Sequence, residues 1–128
     1  MKVNIFKKKK FIDGRGLIAD IIYNKNINHI TYITTKKNAV RGNHFHKKTA
    51  QYTFIVDGKI EYFSKKKSKK KTIKTILKKG DLILAKPNEI HAFKTLSKNS
   101  LMLAFSVGIR GGKDYEKDTF RVKSILPK

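Results

Sequence analysis

The chain of 128 residues contains no cysteine and no tryptophan, and it has only two prolines. The absence of cysteine excludes disulfide bonds, thiolate metal ligands and a cysteine nucleophile. No apolar run approaches the roughly 20 residues that a membrane-spanning helix needs. The N-terminal MKVNIFKKKK has no apolar stretch after its lysines, so we expect no secretory signal. These features predict a single cytoplasmic domain over residues 1–128, with no membrane partner.

Acidic residues are scarce as well: nine Asp and Glu stand against 31 Lys and Arg, which gives a formal net charge of +22. Such a charge is typical of proteins that bind nucleic acid, an anionic membrane or a phosphorylated small molecule. Only four of the basic residues are arginine, however, and Ile and Asn are also abundant, which is the composition that an A/T-rich genome produces. The charge alone leaves both explanations open.

Two lysine clusters, residues 7–10 and 65–71, lie between predicted strands. Neither is interleaved with aromatic residues, so neither resembles a stacking platform for single-stranded nucleic acid. We expect both to be solvated loops that are dispensable for activity, and we expect no specific nucleic-acid partner.

Short segments rich in Ile, Val, Thr, Tyr and Phe alternate with breaks that contain Gly or Asn, which is typical of β-strands. The predicted strands are Val3–Phe6, Leu17–Tyr23, Ile30–Thr35, Tyr52–Val56, Lys59–Phe63, Thr72–Leu77, Asp81–Ala85, Ala92–Leu96 and Leu101–Val107. The Asp57-Gly58 pair predicts a two-residue β-hairpin. No segment shows a sustained 3.6-residue apolar period, so we expect little helix. The sequence therefore predicts an all-β sandwich or barrel.

Three of the four histidines occupy informative positions. His44 and His46 are two residues apart, so on an extended strand their side chains point to the same side. His91 follows a strand and a Pro/Asn turn, from which it can reach the same point across a barrel. Converging imidazoles bind a metal or provide a base with its electrostatic partner. Two surface histidines on an edge strand are the alternative.

The surroundings of these histidines resemble the two motifs of the cupin superfamily. The first runs from His44 through Gln51 to Gly58, with Gln51 where a glutamate is common, and the second runs from Gly80 to His91. The resemblance covers about residues 13–108 and implies a double-stranded β-helix, the cupin or jelly-roll barrel.

Three positions depart from the cupin pattern. Asn38 and Asn88 stand where the motifs have glycine, and Thr95 stands where the second motif closes with asparagine.

Within the superfamily, Asp13–Gly16 and the string Arg41-Gly42-Asn43-His44-Phe45-His46-Lys47 resemble the sugar-nucleotide branch. That branch includes dTDP-4-dehydrorhamnose 3,5-epimerase, the dTDP-sugar 3,4-ketoisomerases and the C-terminal cupin of capsular-polysaccharide reductases. The string is most similar to the last group, as is the ending from Tyr115 to Phe120. The resemblance implies that Arg41 holds nucleotide phosphate and that His44 is a base. The rhamnose epimerase usually has Gln or a similar residue at the position of His46, so the resemblance argues against that particular activity.

The leading functional prediction is a keto-sugar nucleotide epimerase or isomerase in surface-polysaccharide biosynthesis, with a nucleotide-linked sugar as the partner. A C–H next to a ketone is weakly acidic, so this chemistry needs a base near neutral pKa and a group that stabilises the enolate. His44 and His46 are the predicted catalytic histidines. Tyr52 is the predicted proton donor, with Tyr62 as a second candidate, and Lys47 joins Arg41 as a predicted substrate-binding residue.

Two alternatives remain open. A metal-dependent cupin of the small-molecule dioxygenase type would bind Zn, Fe, Ni or Mn through His44, His46, Gln51 and His91. A non-catalytic sugar-binding cupin is the other alternative, because one fold hosts many functions.

Two structural demands follow. Arg41 lies three residues from His44, on the opposite side of a regular strand, so it reaches the same cavity only if Gly42 introduces a bend or bulge. A homodimer is also predicted, because barrels of this size have open sheet edges, and Val3–Phe6 is a strand that could pair with a neighbour.

Overall fold

The computed structural model describes residues 1–8, 10–108 and 117–128. The elements are β1 (Lys2–Asn4), α1 (Ile5–Lys8), β2 (Lys10–Asp13), β3 (Gly16–Ala19), β4 (His29–Lys36), β5 (Val40–Phe45), β6 (Ala50–Asp57), β7 (Lys59–Lys66), β8 (Ile73–Lys78), β9 (Asp81–Ala85), β10 (Glu89–Thr95), β11 (Asn99–Val107) and β12 (Phe120–Arg121). Lys9 of the first lysine cluster and the Tyr115-Glu116 part of the predicted ending lie outside the described residues.

Two five-stranded antiparallel sheets form the body of the structure. One has the order β1-β9-β6-β11-β4, and the other has the order β12-β5-β10-β7-β8. From β4 to β11 the chain alternates between the two sheets, apart from the β7–β8 hairpin, which is the winding of a double-stranded β-helix. Strands β2 and β3 form a separate hairpin. The all-β prediction is confirmed, and the described part of the chain contains no helix long and apolar enough to cross a membrane.

The Asp57-Gly58 pair does not form the predicted hairpin. Strand β6 pairs with β9 and β11, whereas β7 pairs with β8 and β10, so the chain changes sheets at Gly58. Gly58 has a φ of +104°, and a Cβ there would lie 2.8 Å from the carbonyl oxygen of Asn99. The pair does mark a tight turn, but packing of the following strand in the opposite sheet decides where the chain goes.

The predicted strand Val3–Phe6 is correct only in its first half. Strand β1 ends at Asn4, and the single helical turn α1 begins at Ile5. The backbone N–H of Ile5 donates to the carbonyl oxygen of Gly80 at 2.9 Å, and the Ile5 side chain is buried. This anchoring turns the chain away from the sheet. The predicted strand Leu17–Tyr23 is likewise shorter, because β3 ends at Ala19.

The core lies between the two sheets and draws on both. Its buried members are Ile55, Ile83 and Met102 from the first sheet and Ile60, Tyr62, Leu77 and Phe93 from the second. Tyr62 is 2% exposed, and its ring centroid lies 4.9 Å from that of Phe93. Its hydroxyl has no hydrogen-bond partner among the described residues, and burial raises the pKa of the phenol. Tyr62 is therefore a packing residue of the core.

We expect Tyr62→Phe to leave the free energy of unfolding unchanged or to raise it by up to about 1 kcal/mol, because the change removes a buried hydroxyl that forms no hydrogen bond. Urea denaturation measures the effect, with the exposed Tyr32→Phe as the matched control. A loss of more than about 1 kcal/mol in Tyr62→Phe alone would show that the hydroxyl has a stabilising partner.

Candidate active site

Three histidines converge at one point of the second sheet. His44 lies on β5 directly opposite His91 on β10, and His46 follows two residues after His44 on the same side. One ring nitrogen from each lies within 4.8 Å of those of the other two, and the ring centroids are 4.8 to 5.2 Å apart. His46 and His91 are 1% exposed, whereas His44 is half-buried. The predicted clustering of the three imidazoles is confirmed; their chemical roles stay predictions.

Backbone carbonyls fix the protonation of two of these rings. His46 Nδ1 donates to the carbonyl oxygen of Asp118 at 2.7 Å, and His91 Nδ1 donates to that of Glu89 at 3.1 Å. Since a carbonyl only accepts, both Nδ1 atoms carry a proton. In a neutral ring the lone pair therefore sits on Nε2.

A β-bulge at Gly42 and Asn43 brings Arg41 to the side of His44. The pairing of β5 with β10 steps from His44↔His91 to Gly42↔Ala92, so Asn43 is the extra residue. Gly42 has a φ of +100° and Asn43 a φ of +57°. A Cβ on Gly42 would lie 2.6 Å from the carbonyl oxygen of His91, so only glycine fits this approach. The bend or bulge that the sequence requires at Gly42 is therefore present.

An open cavity of about 500 Å³ lies between the two sheets beside this bulge. Its walls are residues 31–34 of β4, Val40, Arg41, Gly42 and His44 of β5, Gln51 and Thr53 of β6, Phe93, Met102 and Arg121. His44 is the member of the histidine cluster that lines it, and the 1% exposed His46 and His91 do not. The volume suits a small-molecule ligand.

Arg41 is held against the edge of the first sheet. Its Nε donates to Thr35 Oγ1 and its Nη2 donates to the carbonyl oxygen of Thr34, both at 2.8 Å. The side chain remains exposed. Because a guanidinium has five N–H donors, this anchoring leaves further donors for an anionic ligand.

Gln51 reaches the cavity as predicted, but Tyr52 does not. Gln51 and Thr53 line the cavity, and Tyr52 between them points to the opposite face of β6, where it lines a separate depression with Met1 and Leu82. Successive side chains of a strand point to opposite faces, so the presence of Gln51 in the cavity excludes its neighbour. Tyr52 therefore does not line the cavity that contains His44, and its role as the proton donor stays a prediction.

Lys47 also lies away from the cavity. It is exposed, its Nζ lies 4.3 Å from the centroid of the Phe120 ring, and it does not line the cavity. It follows the end of β5 at Phe45, in the segment that leads to β6. The binding of substrate by Lys47 stays a prediction.

Sequence reasoning missed Arg121 and Asp118. Strand β12 pairs Phe120 with Phe45 and Arg121 with His44, which brings Arg121 to the cavity wall. A strand of two residues has no periodicity to detect, so nothing local in the sequence marks this arginine as a site residue.

Asp118 is a buried carboxylate beside the cluster, only 3% exposed. It accepts hydrogen bonds from the backbone N–H groups of Lys47, Lys48 and Thr49 and from Thr49 Oγ1, at 2.8 to 2.9 Å. Burial raises the pKa of this carboxyl, but the four hydrogen bonds together outweigh burial and hold the pKa below its usual range. The side chain is therefore a fixed negative charge at neutral pH.

Two of the departures from the cupin motifs have a structural explanation. Asn38 and Asn88 have φ of +67° and +69°, the left-handed region that glycine enters most readily and that asparagine also tolerates. Thr95 instead shares a buried hydrogen bond of 2.8 Å with Ser100.

The chain matches the model of the polysaccharide biosynthesis C-terminal domain family over residues 11–113, and it belongs to this family. No curated protein sequence matches it significantly.

Solved structures show the same fold. A 3,4-ketoisomerase from Helicobacter canadensis is 21% identical, with a TM-score of 0.80 over 95% of this chain and 90% of that one. The dTDP-6-deoxy-D-glucose-3,5-epimerase RmlC from Legionella pneumophila, in complex with dTDP-4-keto-L-rhamnose, is 12% identical, with a TM-score of 0.75 over 91% and 70%. The capsular polysaccharide assembling protein CapF from Staphylococcus aureus is 15% identical, with a TM-score of 0.70 over 90% of this chain but only 34% of CapF. The fold is thus that of the cupins, and the predicted jelly-roll barrel is confirmed.

We expect Gly42→Ala to destabilise the protein by about 1–3 kcal/mol, because the new Cβ meets the backbone of β10 at a positive φ. Thermal or urea unfolding measures the loss. The matched control is Gly14→Ala, since a Cβ on Gly14 meets nothing within 4 Å, and we expect a change within about 0.5 kcal/mol. Equal stability of the two variants would contradict the strained bulge.

Proposed function

We propose that the protein is a keto-sugar nucleotide epimerase or isomerase of surface-polysaccharide biosynthesis. The observation that carries the proposal is the bulge at Gly42 and Asn43, which puts Arg41 and His44 on the walls of one cavity. Its volume of about 500 Å³ accommodates the sugar ring and part of the nucleotide. Family membership supports the setting, since the family is that of polysaccharide biosynthesis C-terminal domains.

His44 is the proposed base. It is half-buried and lines the cavity, so it can both reach a ligand and exchange protons with it. The imidazole takes a proton from the carbon next to the ketone, and the C–H electron pair moves into an enolate whose charge rests on the former carbonyl oxygen. For epimerisation, a donor other than His44, such as a water molecule, delivers a proton to the opposite face of the same carbon, and His44 releases its proton to solvent. For isomerisation, the proton of the neighbouring hydroxyl moves to the former carbonyl oxygen, and His44 returns its proton to the former carbonyl carbon, which leaves the ketone at the neighbouring position. His46 and His91 are buried, and their ring centroids lie 4.9 and 4.8 Å from that of His44.

The arginines supply the positive charge of the site. Arg41 lies at the cavity with its Nε and Nη2 anchored to β4, so its remaining N–H donors are proposed to hold the diphosphate bidentately. Arg121 enters the same cavity from β12 beside His44, where a guanidinium stabilises a developing oxyanion.

We expect His44→Asn to lower solvent-deuterium exchange into a dTDP- or UDP-4-keto-sugar by roughly 10²–10⁴-fold, with little change in binding, because the base is lost and the ligand contacts remain. Mass spectrometry or proton NMR of the sugar follows the exchange. His29→Asn, on β4 outside the cavity lining, is the matched control and should exchange like wild type. The proposal fails if wild type exchanges no ring proton, or if His44→Asn exchanges as fast as wild type.

We expect Arg41→Ala to weaken binding of the nucleotide sugar about 10- to 100-fold, because charge-assisted hydrogen bonds to the diphosphate are lost. Calorimetry with dTDP as ligand measures this directly. Arg15→Ala is the control, since Arg15 pairs with Asp13 at the exposed tip of the β2–β3 hairpin and does not line the cavity. Equal affinities in the two variants would remove Arg41 from the binding site.

A metal-dependent cupin is the second candidate, and one observation favours it. His46 and His91 donate Nδ1–H to backbone carbonyls, which makes Nε2 the nitrogen that would ligate a metal. The three histidines, which lie within 4.8 Å of one another, are the proposed ligands of a divalent Zn, Fe, Ni or Mn. Gln51, whose amide N–H donates to Thr53 Oγ1 at 3.1 Å, is the proposed fourth ligand through its amide oxygen. Repeating the exchange assay with a chelator separates the candidates: exchange that is abolished by the chelator and restored by one of these metals favours the metal-dependent enzyme.

A homodimer is part of the proposal, although its predicted contact needs revision. Strand β1 already pairs with β9 of the same chain, and Ile5 and Phe6 are helical. Apolar side chains are instead exposed on the β2–β3 hairpin and on the edge strand β4, and these surfaces are the better candidates for a second copy. Those more than 60% exposed are Phe11, Ile12, Ile18, Ile30 and Tyr32.

We expect a dimer by light scattering at moderate salt, where the repulsion between chains of charge +22 is screened. The Phe11→Ser, Ile18→Ser double variant should be monomeric, because it removes apolar surface from the hairpin. Ile73→Ser, at a comparably exposed position on the edge strand β8, is the control and should remain dimeric. A wild-type monomer would rule out the homodimer.

A further inference from the structure

Asp118 holds His46 from two directions. Its backbone carbonyl accepts the hydrogen bond from His46 Nδ1, and its carboxylate accepts the three backbone N–H groups of residues 47–49, the segment that directly follows His46. The hydroxyl of Thr49, which is fully buried, completes the set. One residue therefore fixes both the ring of His46 and the backbone that leads away from it.

Asp118 also helps to anchor Arg121, which lines the cavity together with Arg41. Asp118 lies two residues before Phe120, the first residue of β12, and within the described residues β12 pairs with β5 alone. The Phe120 ring stacks on that of Phe45 with centroids 5.3 Å apart, and Arg121 follows on the cavity wall. A two-residue strand has few ladder hydrogen bonds of its own, so the segment depends on further attachments. The Asp118 carboxylate holds it before β12, and the hydrogen bonds that Val122 and Ile125 donate to Asn43 hold it after β12.

We propose that Asp118 is a positioning residue of the site: its carboxylate holds the main chain so that its carbonyl keeps His46 in the Nδ1–H form. With Nδ1 protonated, Nε2 of the neutral ring is an acceptor, and His46 can receive a proton from, or share one with, the neighbouring His44 and His91. The consequence for catalysis rests on the proposed function; the control of the His46 tautomer does not.

A second buried aspartate provides a comparison. Asp81 is 5% exposed and also accepts hydrogen bonds through its carboxylate, from Asn4 Nδ2 at 2.9 Å and from the backbone N–H of Lys78 at 2.8 Å. It begins β9 in the first sheet, and these hydrogen bonds join it to Asn4 and Lys78 rather than to His46 or the residues that follow His46. Substitutions of the two aspartates thus share the loss of a buried carboxylate and differ in their connection to His46.

Imidazole ¹⁵N–¹H correlation spectra of the whole protein test the proposal at about pH 8, above the ordinary pKa of histidine. We expect His46 to show the Nδ1–H form in wild type and in Asp81→Asn. In Asp118→Ala we expect a mixture of the two tautomers or exchange broadening of the His46 signals, with His29 unchanged in every variant. An unchanged Nδ1–H pattern for His46 in folded Asp118→Ala overturns the proposal.

Two milder variants keep the test decisive if Asp118→Ala does not fold. Asp118→Asn replaces one acceptor oxygen by a donor, and Thr49→Val removes only the hydroxyl bond, so a graded disturbance of the His46 signals in the order Thr49→Val, then Asp118→Asn supports the proposal. Undisturbed His46 signals in both overturn it.

The solvent-deuterium exchange assay then tests the proposed enzyme function separately from the positioning role of Asp118. If the enzyme proposal holds, Asp118→Asn lowers kcat by up to about 100-fold, while Asp81→Asn does not beyond its loss of folded protein. If wild type is inactive but the His46 tautomer still responds to Asp118, the positioning role stands and the proposed function fails. If wild type is active and His46 does not respond, the function stands and the positioning role fails.

Discussion

The bulge on β5 is the constraint on which the site depends. In a regular strand Arg41 and His44 would face opposite sides, and the extra residue Asn43 reverses that parity. The bulge requires positive φ at Gly42 and Asn43, and Gly42 lies too close to the backbone of β10 for any side chain. Asn43 also binds the C-terminal segment, because its carbonyl oxygen accepts from the N–H of Val122 and its Oδ1 accepts from that of Ile125, each at 2.9 Å. The bulge thus brings together Arg41, His44 and the C-terminal segment that carries Arg121.

Around this bulge the site has an outer and an inner layer. Arg41, Arg121 and His44 are on the cavity wall, where they can meet a ligand. His46 and His91 are buried, and backbone carbonyls set their protonation rather than solvent. In the proposed mechanism His44 takes the proton at the cavity wall, and the two buried imidazoles adjoin it from the inner layer. The same layering explains how one histidine cluster suits both a base and a metal ligand set.

The sequence predicts the site residues that lie on regular strands, because side chains two residues apart point to the same face. The spacing of His44 and His46 and the motif that contains His91 predict the cluster, and the parity of Arg41 predicts the bulge. The same parity rule, applied to Gln51, places its neighbour Tyr52 on the opposite face of β6. Asp118 and Arg121 were not predictable, because β12 is too short for periodicity and its place beside β5 is a long-range pairing across more than 70 residues. Asp57-Gly58 shows the limit of turn chemistry: it marks the turn but not the sheet that the next strand joins.

The proposed function requires that the cavity beside the bulge binds a nucleotide-linked 4-keto-sugar with its acidic carbon at His44. A crystal structure of the protein with a dTDP-4-keto-sugar tests this most directly. We expect a ring nitrogen of His44 about 3–3.5 Å from a ring carbon next to the ketone. We also expect the Arg41 guanidinium within hydrogen-bond distance of the diphosphate. A sugar bound outside the cavity, or one inside it with both carbons next to the ketone beyond the reach of His44, would contradict the account.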